Sequence, residues 1–225
     1  MSDLNADFAA RAVVDTTTMD WQESPAPGVW RKRLELKGPV ESGRVTSLVR
    51  FAPGSRFPAH DHPAGEEILV LDGVFSDEAG DWGPGAYLFN PEGFRHAPWS
   101  EEGCTLFVKL RQAEGRDRAH VTMETRTAPF QETGIDGLTC LPLYAEPGYP
   151  ERVALYRFAP HCRVPYHDHA GGEEGFVLDG TFIDENGRHP AGTWFRNPPG
   201  AGHSVWTEAD GCTVFAKTDH LSALA

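Results

Sequence analysis

The sequence has little positive charge and no long hydrophobic run. It contains 20 Lys and Arg against 33 Asp and Glu, which gives a formal net charge of −13. No basic cluster interrupts this acidic background, so the phosphate neutralisation that nucleic-acid binding requires is not expected. The longest purely aliphatic run, Ile68–Leu71, is far shorter than the roughly 20 residues of a membrane helix. We therefore expect neither nucleic acid nor a membrane as a partner.

Several other signals are also missing. The four cysteines are scattered without a Cys-x-x-Cys spacing, which is typical of reduced thiols. The first residues carry early acids and no apolar stretch, so we expect no signal peptide and a cytoplasmic location. Gly-x-Ser-x-Gly, P-loop and Gly-x-Gly-x-x-Gly motifs do not occur, which leaves serine-hydrolase and nucleotide-binding functions without support.

The residues that are abundant favour short strands. The chain is 40% hydrophobic and holds 24 Gly and 18 Pro, enough for both a core and many turns. Segments such as VTSLVRFAP and CTLFVKL are β-branched or aromatic and end at turn residues, which is typical of strands. The segment DFAARAVV near the start is the one candidate for a short helix. This pattern predicts an all-β protein of the sandwich or barrel type.

The sequence contains an internal duplication. A shift of 107 positions aligns Arg44–Glu102 with Glu151–Ala209, and 28 of the 59 pairs are identical. The period is far longer than that of a solenoid repeat, so each copy should be a domain. We place the domains at residues 1–113 and 114–225, with the joint in the charged stretch Gln112–Arg118. The two copies are expected to pair as an internal dimer, and a homodimer of the whole chain is also open.

Each copy carries three histidines and one glutamate at the same spacing. The sets are His60, His62, Glu66 and His96 in the first copy, and His167, His169, Glu173 and His203 in the second. The first two histidines share a strand face, and a Pro-Gly turn returns a distant strand with the third. A lone His-x-His is more often an exposed pair, but two matching sets favour metal binding. We expect two divalent ions per chain, one per domain, with Zn²⁺ ahead of Fe²⁺, Mn²⁺ and Ni²⁺.

These spacings resemble the two motifs of the cupin superfamily. The first motif fits Gly54, His60, His62, Glu66 and Gly73, and the second fits Gly85, Pro91, Gly93 and His96. An asparagine that closes motif two is replaced by Ser100 in the first copy and by Thr207 in the second. In the second copy His161 also replaces the first glycine of motif one. The resemblance implies two tandem double-stranded β-helix (jelly-roll) barrels, a bicupin. All departures lie outside the predicted metal ligands.

The segments HDHxxGEE and VLDGxFxDExG resemble more specifically the cupin domain of ChrR-type anti-sigma factors. That resemblance implies a zinc-binding cupin associated with sensing singlet oxygen or organic peroxides. The helical anti-sigma domain with its H-x3-C-x2-C zinc motif is absent from this sequence, so sigma-factor binding does not carry over. The family spacing also selects Glu66 over its neighbour Glu67. Glu67 and its counterpart Glu174 are then expected to face the opposite side, as solvated acids or as partners of an arginine such as Arg56 or Arg163.

Two matched cysteines, Cys104 and Cys212, begin equivalent strands. They are either small buried hydrophobes or redox-active thiols, and the latter would need a lowered pKa. Three functions stay open for the chain: a metal-binding sensor or regulator of oxidative stress, an Fe²⁺-dependent dioxygenase acting on a small carbonyl compound such as a β-diketone, and a bicupin whose metals only stabilise it.

The two copies are expected to differ in the space beside their metal ions. Gly175 replaces Ile68, and Ala201 replaces Phe94, at positions near the ligands. His161 adds a polar side chain close by. The second barrel should therefore hold the roomier and more polar pocket and receive a small-molecule ligand. The alternative is that Phe176, Trp194 or Phe195 repacks and fills the gap.

Overall fold

The computed structural model describes residues 3–222 and residue 224, and these residues form strands, turns and one short 3-10 helix at Thr16–Thr18. In the first half the strands are β1 (Ala12–Asp15), β2 (Gln22–Glu23), β3 (Val29–Lys37), β4 (Arg44–Phe51), β5 (Ser55–Arg56), β6 (His60–Asp61), β7 (Glu66–Gly73), β8 (Phe75–Asp77), β9 (Gly80–Trp82), β10 (Ala86–Asn90), β11 (Arg95–His96), β12 (Trp99–Ser100), β13 (Cys104–Leu110) and β14 (Val121–Glu124). In the second half they are β15 (Gln131–Glu132), β16 (Leu138–Ala145), β17 (Arg152–Phe158), β18 (Arg163–Asp168), β19 (Glu173–Asp184), β20 (Gly187–Pro190), β21 (Thr193–Asn197), β22 (Gly202–Trp206) and β23 (Cys212–Thr218).

The chain divides into two compact units that share one architecture. In the first, a large sheet runs in the order β14-β10-β7-β13-β4-β3-β2, faced by a small sheet of β5, β12, β8 and β9. In the second, the large sheet runs β1-β21-β19-β23-β17-β16-β15, and β18, β22 and β20 take the place of the small sheet. Every strand pair is antiparallel, as jelly-roll barrels require. The predicted all-β fold of two tandem cupin barrels is confirmed.

A hydrophobic core fills the inside of each barrel because alternate residues of each strand point inward. In the first unit this core contains Ile68, Leu88 and Leu106, and in the second it contains Val177 and Phe195. His62, which follows β6, and Glu66, which begins β7, line a cavity together with the core residues Ile68 and Val108. This cavity carries the candidate site, and the second barrel repeats the arrangement.

Each large sheet ends in a strand that comes from the other repeat. β1 pairs with β21, so the compact second unit contains Asp7–Thr18 as well as Pro129–Ala225. β14 pairs with β10, so the first unit contains Met19–Ala128 together with the start of the chain up to Ala6. The exchanged strands cover sheet edges that would otherwise expose unpaired backbone groups. The helix predicted for DFAARAVV is wrong, because this segment is needed as the edge strand β1. The domain limits at residues 113 and 114 stay a prediction about the sequence repeat.

This exchange predicts that the first domain cannot be cut out at its repeat boundary. A fragment of residues 1–115 lacks β14 and Arg118, whose guanidinium lies 5.4 Å from the centre of the Phe89 ring. We expect this fragment to associate or to unfold at lower temperature than a fragment of residues 19–128, which keeps its edge strand. Thermal unfolding and light scattering of both fragments measure the difference. A monodisperse 1–115 fragment as stable as 19–128 would contradict the prediction.

The glutamates next to the predicted ligands are buried, not solvated. Glu67 and Glu174 are each 2% exposed. The hydroxyl of Tyr87 donates to Glu67 at 2.7 Å, and the indole N–H of Trp194 donates to Glu174 at 2.8 Å. Arg56 pairs with a different acid at the surface. The expectation of exposed acids was wrong because both faces of β7 and of β19 pack against protein.

Among the described residues, no helix is long and apolar enough to span a membrane.

Candidate metal centres

The first barrel brings its four predicted ligands together. β6 and β11 pair with His96 opposite His60, and the ligand nitrogens of His60, His62 and His96 all lie within 4.8 Å of one another. Nε2 of His62 is 2.9 Å from Nε2 of His96. Oε2 of Glu66, the first residue of β7, lies 3.5 Å and 3.6 Å from these two nitrogens. Three imidazoles and one carboxylate therefore converge on one point.

The second barrel repeats this cluster. β18 and β22 pair with His167 opposite His203, and the ligand nitrogens of His167, His169 and His203 lie within 4.8 Å of one another. The carboxylate of Glu173 approaches Nε2 of His169 at 3.6 Å and Nε2 of His203 at 3.5 Å. Donor atoms held at ~2.1 Å from a shared ion lie about 3.0–3.4 Å apart at the usual bond angles. The observed separations are close to that range.

Hydrogen bonds turn the unprotonated nitrogens toward each centre. Nδ1 of His60 donates to the carbonyl oxygen of Pro58 at 2.9 Å, and His167 makes the same bond to Pro165. A carbonyl only accepts, so these rings carry the proton on Nδ1 and leave Nε2 as a lone-pair donor. This tautomer is the one that binds a metal through Nε2.

Buried nitrogens without partners provide a test of the fit. Nε2 of His169 and Nε2 of His203 are inaccessible to solvent and, among the described residues, have no hydrogen-bond partner. A buried polar atom left unpaired is costly, so the fold must satisfy these nitrogens in another way. A divalent cation accepts both lone pairs and balances the carboxylate. The residues present fit such an ion.

Amide and carboxylate side chains behind the ligands hold them in place. Nδ2 of Asn90 donates to Glu66 at 3.0 Å, and Nδ2 of Asn197 donates to Glu173 at the same distance. In each glutamate the oxygen that accepts this bond, Oε2, is also one that faces the histidine nitrogens, so the amide fixes the carboxylate in its place at the centre. Sequence reasoning missed both asparagines, although each stands at the same place in its copy, 24 residues after the glutamate.

An aspartate lies behind the third histidine of each set. Nδ1 of His96 is 3.4 Å from Asp77, and Nδ1 of His203 is 3.6 Å from Asp184. Burial alone would raise the pKa of Asp77, but the hydrogen bond from His96 and those from Ala79 and Trp82 hold its pKa below the usual value. An ionised carboxylate in this position fixes the ring and strengthens Nε2 as a ligand. The sequence analysis did not identify these aspartates.

The second and third histidines of each set differ in the direction of their pKa shifts. Burial is the largest influence and lowers the pKa of His62 and of His169. Burial also lowers the pKa of His96 and of His203, but their aspartate and glutamate neighbours outweigh burial, so the pKa of each is raised. Without a metal, the third histidine of each set thus gains a proton before the second as the pH falls.

Acidification should therefore release the bound ions. Metal binding requires neutral imidazoles. The pKa values of His96 and His203 are raised above the ordinary histidine value of about 6.5, so protons already compete with the metal for these rings above that pH. We expect about two ions per chain at pH 7.5 and a progressive loss toward pH 5, measured by elemental analysis after dialysis at each pH. Occupancy unchanged at pH 5, in protein that is still folded, would contradict histidine ligation.

The exchanged strand reaches the second centre through Arg11. Its Nη2 lies 3.0 Å from Asp184 and 3.3 Å from His189, and Asp184 faces the ligand His203. In the first barrel the equivalent residue of the exchanged segment is His120, whose ring stacks at 4.8 Å on Phe94. Arg11 therefore orients the carboxylate that orients a predicted ligand.

Replacement of Arg11 should weaken only the second ion. We expect Arg11→Met to lower metal affinity at the second centre by about 10-fold, the lower end of the range for residues that orient ligands. Affinity at the first centre should stay unchanged. Competition with a chromophoric chelator resolves the two sites. Arg188→Gln, an exposed arginine paired with Glu208, is the control and should change neither site. Equal loss at both centres would contradict this role.

Each centre adjoins a cavity, and the second cavity is the larger. The first has a volume of about 220 Å³ and the second about 520 Å³. The second pocket is therefore the roomier one, as expected. The expectation that it would also be the more polar one is wrong. Its wall is mostly apolar and includes Ile135, Leu138 and Phe158.

The substitutions that were expected to open the second pocket are not the ones that do so. A Cβ on Gly175 would come within 2.2 Å of the Phe195 ring, so Phe195 fills the gap, as the alternative proposed. Phe94 does not line the first cavity but a separate recess, together with His96 and Asp77, and His161 is exposed. The extra volume instead accompanies shorter side chains on the cavity wall itself, Val164 in place of Phe57 and Cys140 in place of Arg31. A side chain shortened on the cavity wall enlarges the space where the neighbours do not fill it.

The matched cysteines are buried and unreactive. Cys104 and Cys212 are each 4% exposed and belong to the two hydrophobic cores. Burial raises the pKa of Cys104 to about 11 and the pKa of Cys212 to about 12. Thiolates are the reactive form, so these residues favour the interpretation as small core hydrophobes.

The family model of the ChrR Cupin-like domain matches residues 9–114 and again residues 118–222. The chain belongs to the ChrR cupin-like family. It carries two copies of the family domain, and the predicted resemblance is confirmed. No curated protein matches the sequence.

Several solved structures have the same fold as this ChrR cupin-like chain, although their sequences are less than 20% identical to it. A Nostoc punctiforme protein with a provisional dioxygenase assignment is 18% identical, with a TM-score of 0.78 over 96% of this chain and 84% of that one. The Escherichia coli protein YlbA is 15% identical, with a TM-score of 0.69 over 96% and 93%. Oxalate decarboxylase OxdC of Bacillus subtilis is 14% identical, with a TM-score of 0.63 over 93% and 77%. At these identities the likeness shows the fold alone.

Proposed function

We propose that this bicupin is a metal-dependent enzyme whose second cavity receives a small neutral organic molecule. The observation that supports this is the position of the four predicted ligands, His167, His169, Glu173 and His203, which all line the same apolar cavity of about 520 Å³. A structural metal site is normally closed by protein ligands. A ligand cluster that opens onto a space of ligand size is typical of a binding or catalytic site.

The reaction we propose is the dioxygenase cleavage of a small carbonyl compound such as a β-diketone. Both oxygen atoms of O₂ enter the products, and one carbon–carbon bond of the diketone breaks to give a carboxylic acid and a dicarbonyl. A bound Fe²⁺ would supply Lewis-acid and redox chemistry at the cluster. The provisional assignment of the Nostoc protein is consistent with this class of reaction.

The chain's own residues supply binding and orientation. The apolar wall excludes water around a neutral substrate and favours its burial. Tyr156 lines the cavity, and burial is the main cause that raises the pKa of its hydroxyl to about 12. This hydroxyl therefore stays protonated at neutral pH and can donate a hydrogen bond to a carbonyl oxygen.

Oxygen uptake by the full chain tests the proposal. We expect chain reconstituted with Fe²⁺ to consume O₂ when pentane-2,4-dione is added, and we expect His203→Ala to abolish this uptake. His96→Ala, the same change in the first barrel, is the matched control and should retain most of it. Metal analysis of protein from its native host gives a second measurement. Predominant zinc, together with no O₂ uptake by the folded Fe²⁺ protein, would overturn the proposal.

A sensor of singlet oxygen or peroxides is the second candidate, and the family match favours it. In this role Zn²⁺ would hold each barrel together, and oxidation of ligands would release it. The high pKa of Cys104 and of Cys212 argues against a signal that begins at these thiols. Zinc-loaded chain exposed to an organic hydroperoxide should then lose metal, followed with a chromophoric chelator, faster than it loses tryptophan fluorescence.

A further inference from the structure

Two arginines line the first cavity. Arg31 and Arg111 lie in its wall together with the ligand residues His60, His62 and Glu66. Two further acids line it, Glu41, which pairs with Arg31, and Asp61, which pairs with Arg95. Guanidinium groups recognise carboxylates in a planar, two-point geometry. The same cavity thus presents a candidate metal cluster and two groups suited to an anion.

The second barrel has no cation at these two places. Cys140 is equivalent to Arg31 by strand register. Asp219 is equivalent to Arg111, since each donates its backbone N–H to the carbonyl oxygen of the glycine before the glutamate ligand. The duplication therefore provides an internal comparison, in which one cavity has acquired or kept two positive charges within a chain of net charge −13.

The conformation of Arg111 is an unusual one for an arginine. Its φ angle of 59° lies in the left-handed region, which is strained for residues other than glycine, asparagine and aspartate. Its guanidinium donates to the carbonyl oxygens of Gly43 and Glu41, each at 3.2 Å. In the part of the chain that the structure describes, it forms no ion pair. Asp219, the equivalent residue of the second barrel, has a φ angle of 64°, so the left-handed turn belongs to both copies and the guanidinium is what distinguishes the first.

The two arginines are close enough to repel each other. Burial is the main cause that lowers the pKa of Arg111, and the positive charge of Arg31 lowers it further. Arg31 has Glu41 as a partner at 2.8 Å, but Arg33 shares that carboxylate at 3.1 Å. Three guanidiniums thus surround one acid. An anion placed between Arg31 and Arg111 would relieve the repulsion.

We propose that the first cavity binds the carboxylate of a small organic acid, held between Arg31 and Arg111 on one side and the His60–His62–Glu66–His96 cluster on the other. The volume of about 220 Å³ is below the range of about 300–1,000 Å³ for drug-sized ligands, so the acid is a short one. This goes beyond the proposed function, which concerns the second cavity, and it is tested without turnover.

Calorimetric titration of the zinc-loaded full chain with malonate tests the proposal. We expect one malonate per chain, because only the first cavity has the arginine pair, and no binding of the uncharged analogue malonamide. Arg31→Gln and Arg111→Gln should each weaken malonate binding by about 10-fold or more, as expected for lost charge-assisted hydrogen bonds. Arg111→Lys keeps the charge and should retain more affinity than Arg111→Gln.

The control is Arg56→Gln, an exposed arginine of the same barrel that lies outside the cavity lining, and its affinity should match the parent chain. Two malonates per chain would show that the metal ions alone recruit the anion, and this would overturn the proposal. Equal binding of malonate and malonamide would also overturn it. That comparison uses the unaltered chain, so it decides the question even where an arginine variant does not fold.

The titration is repeated on chain stripped with a chelator. Arginine-dependent malonate binding that persists there supports the anion site even if metal loading and O₂ uptake fail. Loss of all arginine dependence in both forms overturns the anion site and leaves the proposed function of the second cavity intact.

Discussion

His96→Ala should leave the chain with one bound metal ion instead of two. His96 contributes an imidazole that lies 2.9 Å from His62 and 3.6 Å from Glu66, so its removal takes one of four donors from the first cluster. Residues that only orient a ligand change metal affinity by about 10–100-fold, and loss of a ligand itself should exceed that range. Elemental analysis after dialysis against a weak chelator measures the ratio of metal to protein.

Two matched variants make this result specific. His203→Ala removes the equivalent donor from the second cluster and should also leave one ion, while the double variant should leave none. His120→Ala changes an exposed imidazole of the first barrel and should keep both ions. Because a metal that binds only the folded state adds to stability, each single variant should also unfold at lower temperature than the parent when zinc is present. Two ions retained by His96→Ala would contradict the assignment of this residue.

The repeat and its spacing carried enough information to predict the fold and the residues that cluster. A His-x-His pair shares one strand face by geometry alone, and a Pro-Gly turn before His96 returns the third ring to the same end of the barrel. The duplication strengthened the prediction, since all eight ligand positions keep their residues and spacings while about half of the other aligned positions differ. These features are local or repeated, so a single sequence is sufficient to show them.

Features that depend on packing could not be predicted from the sequence. The exchange of β1 and β14 joins segments about 180 and 30 residues from their partner strands, and short edge strands have no strong local signal. Glu67 was expected in solvent because alternation indicates only that it faces away from the ligands, and alternation does not reveal that the other face is also covered. Asp77 contacts His96 across two different strands, which no spacing rule connects.

The space beside Gly175 illustrates the same limit. Glycine in place of Ile68 predicts an emptied space, yet the residue on the opposite strand differs as well. Ile68 pairs with Leu88 in the first barrel, and Gly175 pairs with Phe195 in the second. A phenylalanine opposite a glycine takes up much of the space that an isoleucine and a leucine fill in the first barrel. Such compensation is visible only when the register of the strands is known.

If Phe195 fills the space beside Gly175, substitutions at these two positions should change the stability of the chain. Gly175→Ile should destabilise the chain by about 3 kcal/mol, the upper end of the usual range for overpacked cores. A Cβ at this position already lies 2.2 Å from the ring of Phe195, and that ring is fully buried and stacks at 4.9 Å on Phe182. The ring cannot move without disturbing the core. Phe195→Leu alone should also destabilise, because it leaves a cavity beside Gly175.

The double variant Gly175→Ile with Phe195→Leu restores the pair that the first barrel uses, Ile68 with Leu88. We expect it to recover most of the lost stability, with a coupling free energy of about 2 kcal/mol in a double-mutant cycle, since each change removes the defect that the other creates. Urea unfolding of the four proteins gives the cycle. The reciprocal pair in the first barrel, Ile68→Gly with Leu88→Phe, is the matched control and should show coupling of the same sign. Additive effects of the two substitutions would mean that Phe195 does not fill the space left by Gly175. In that case the larger second cavity would have to be explained by the glycine after all.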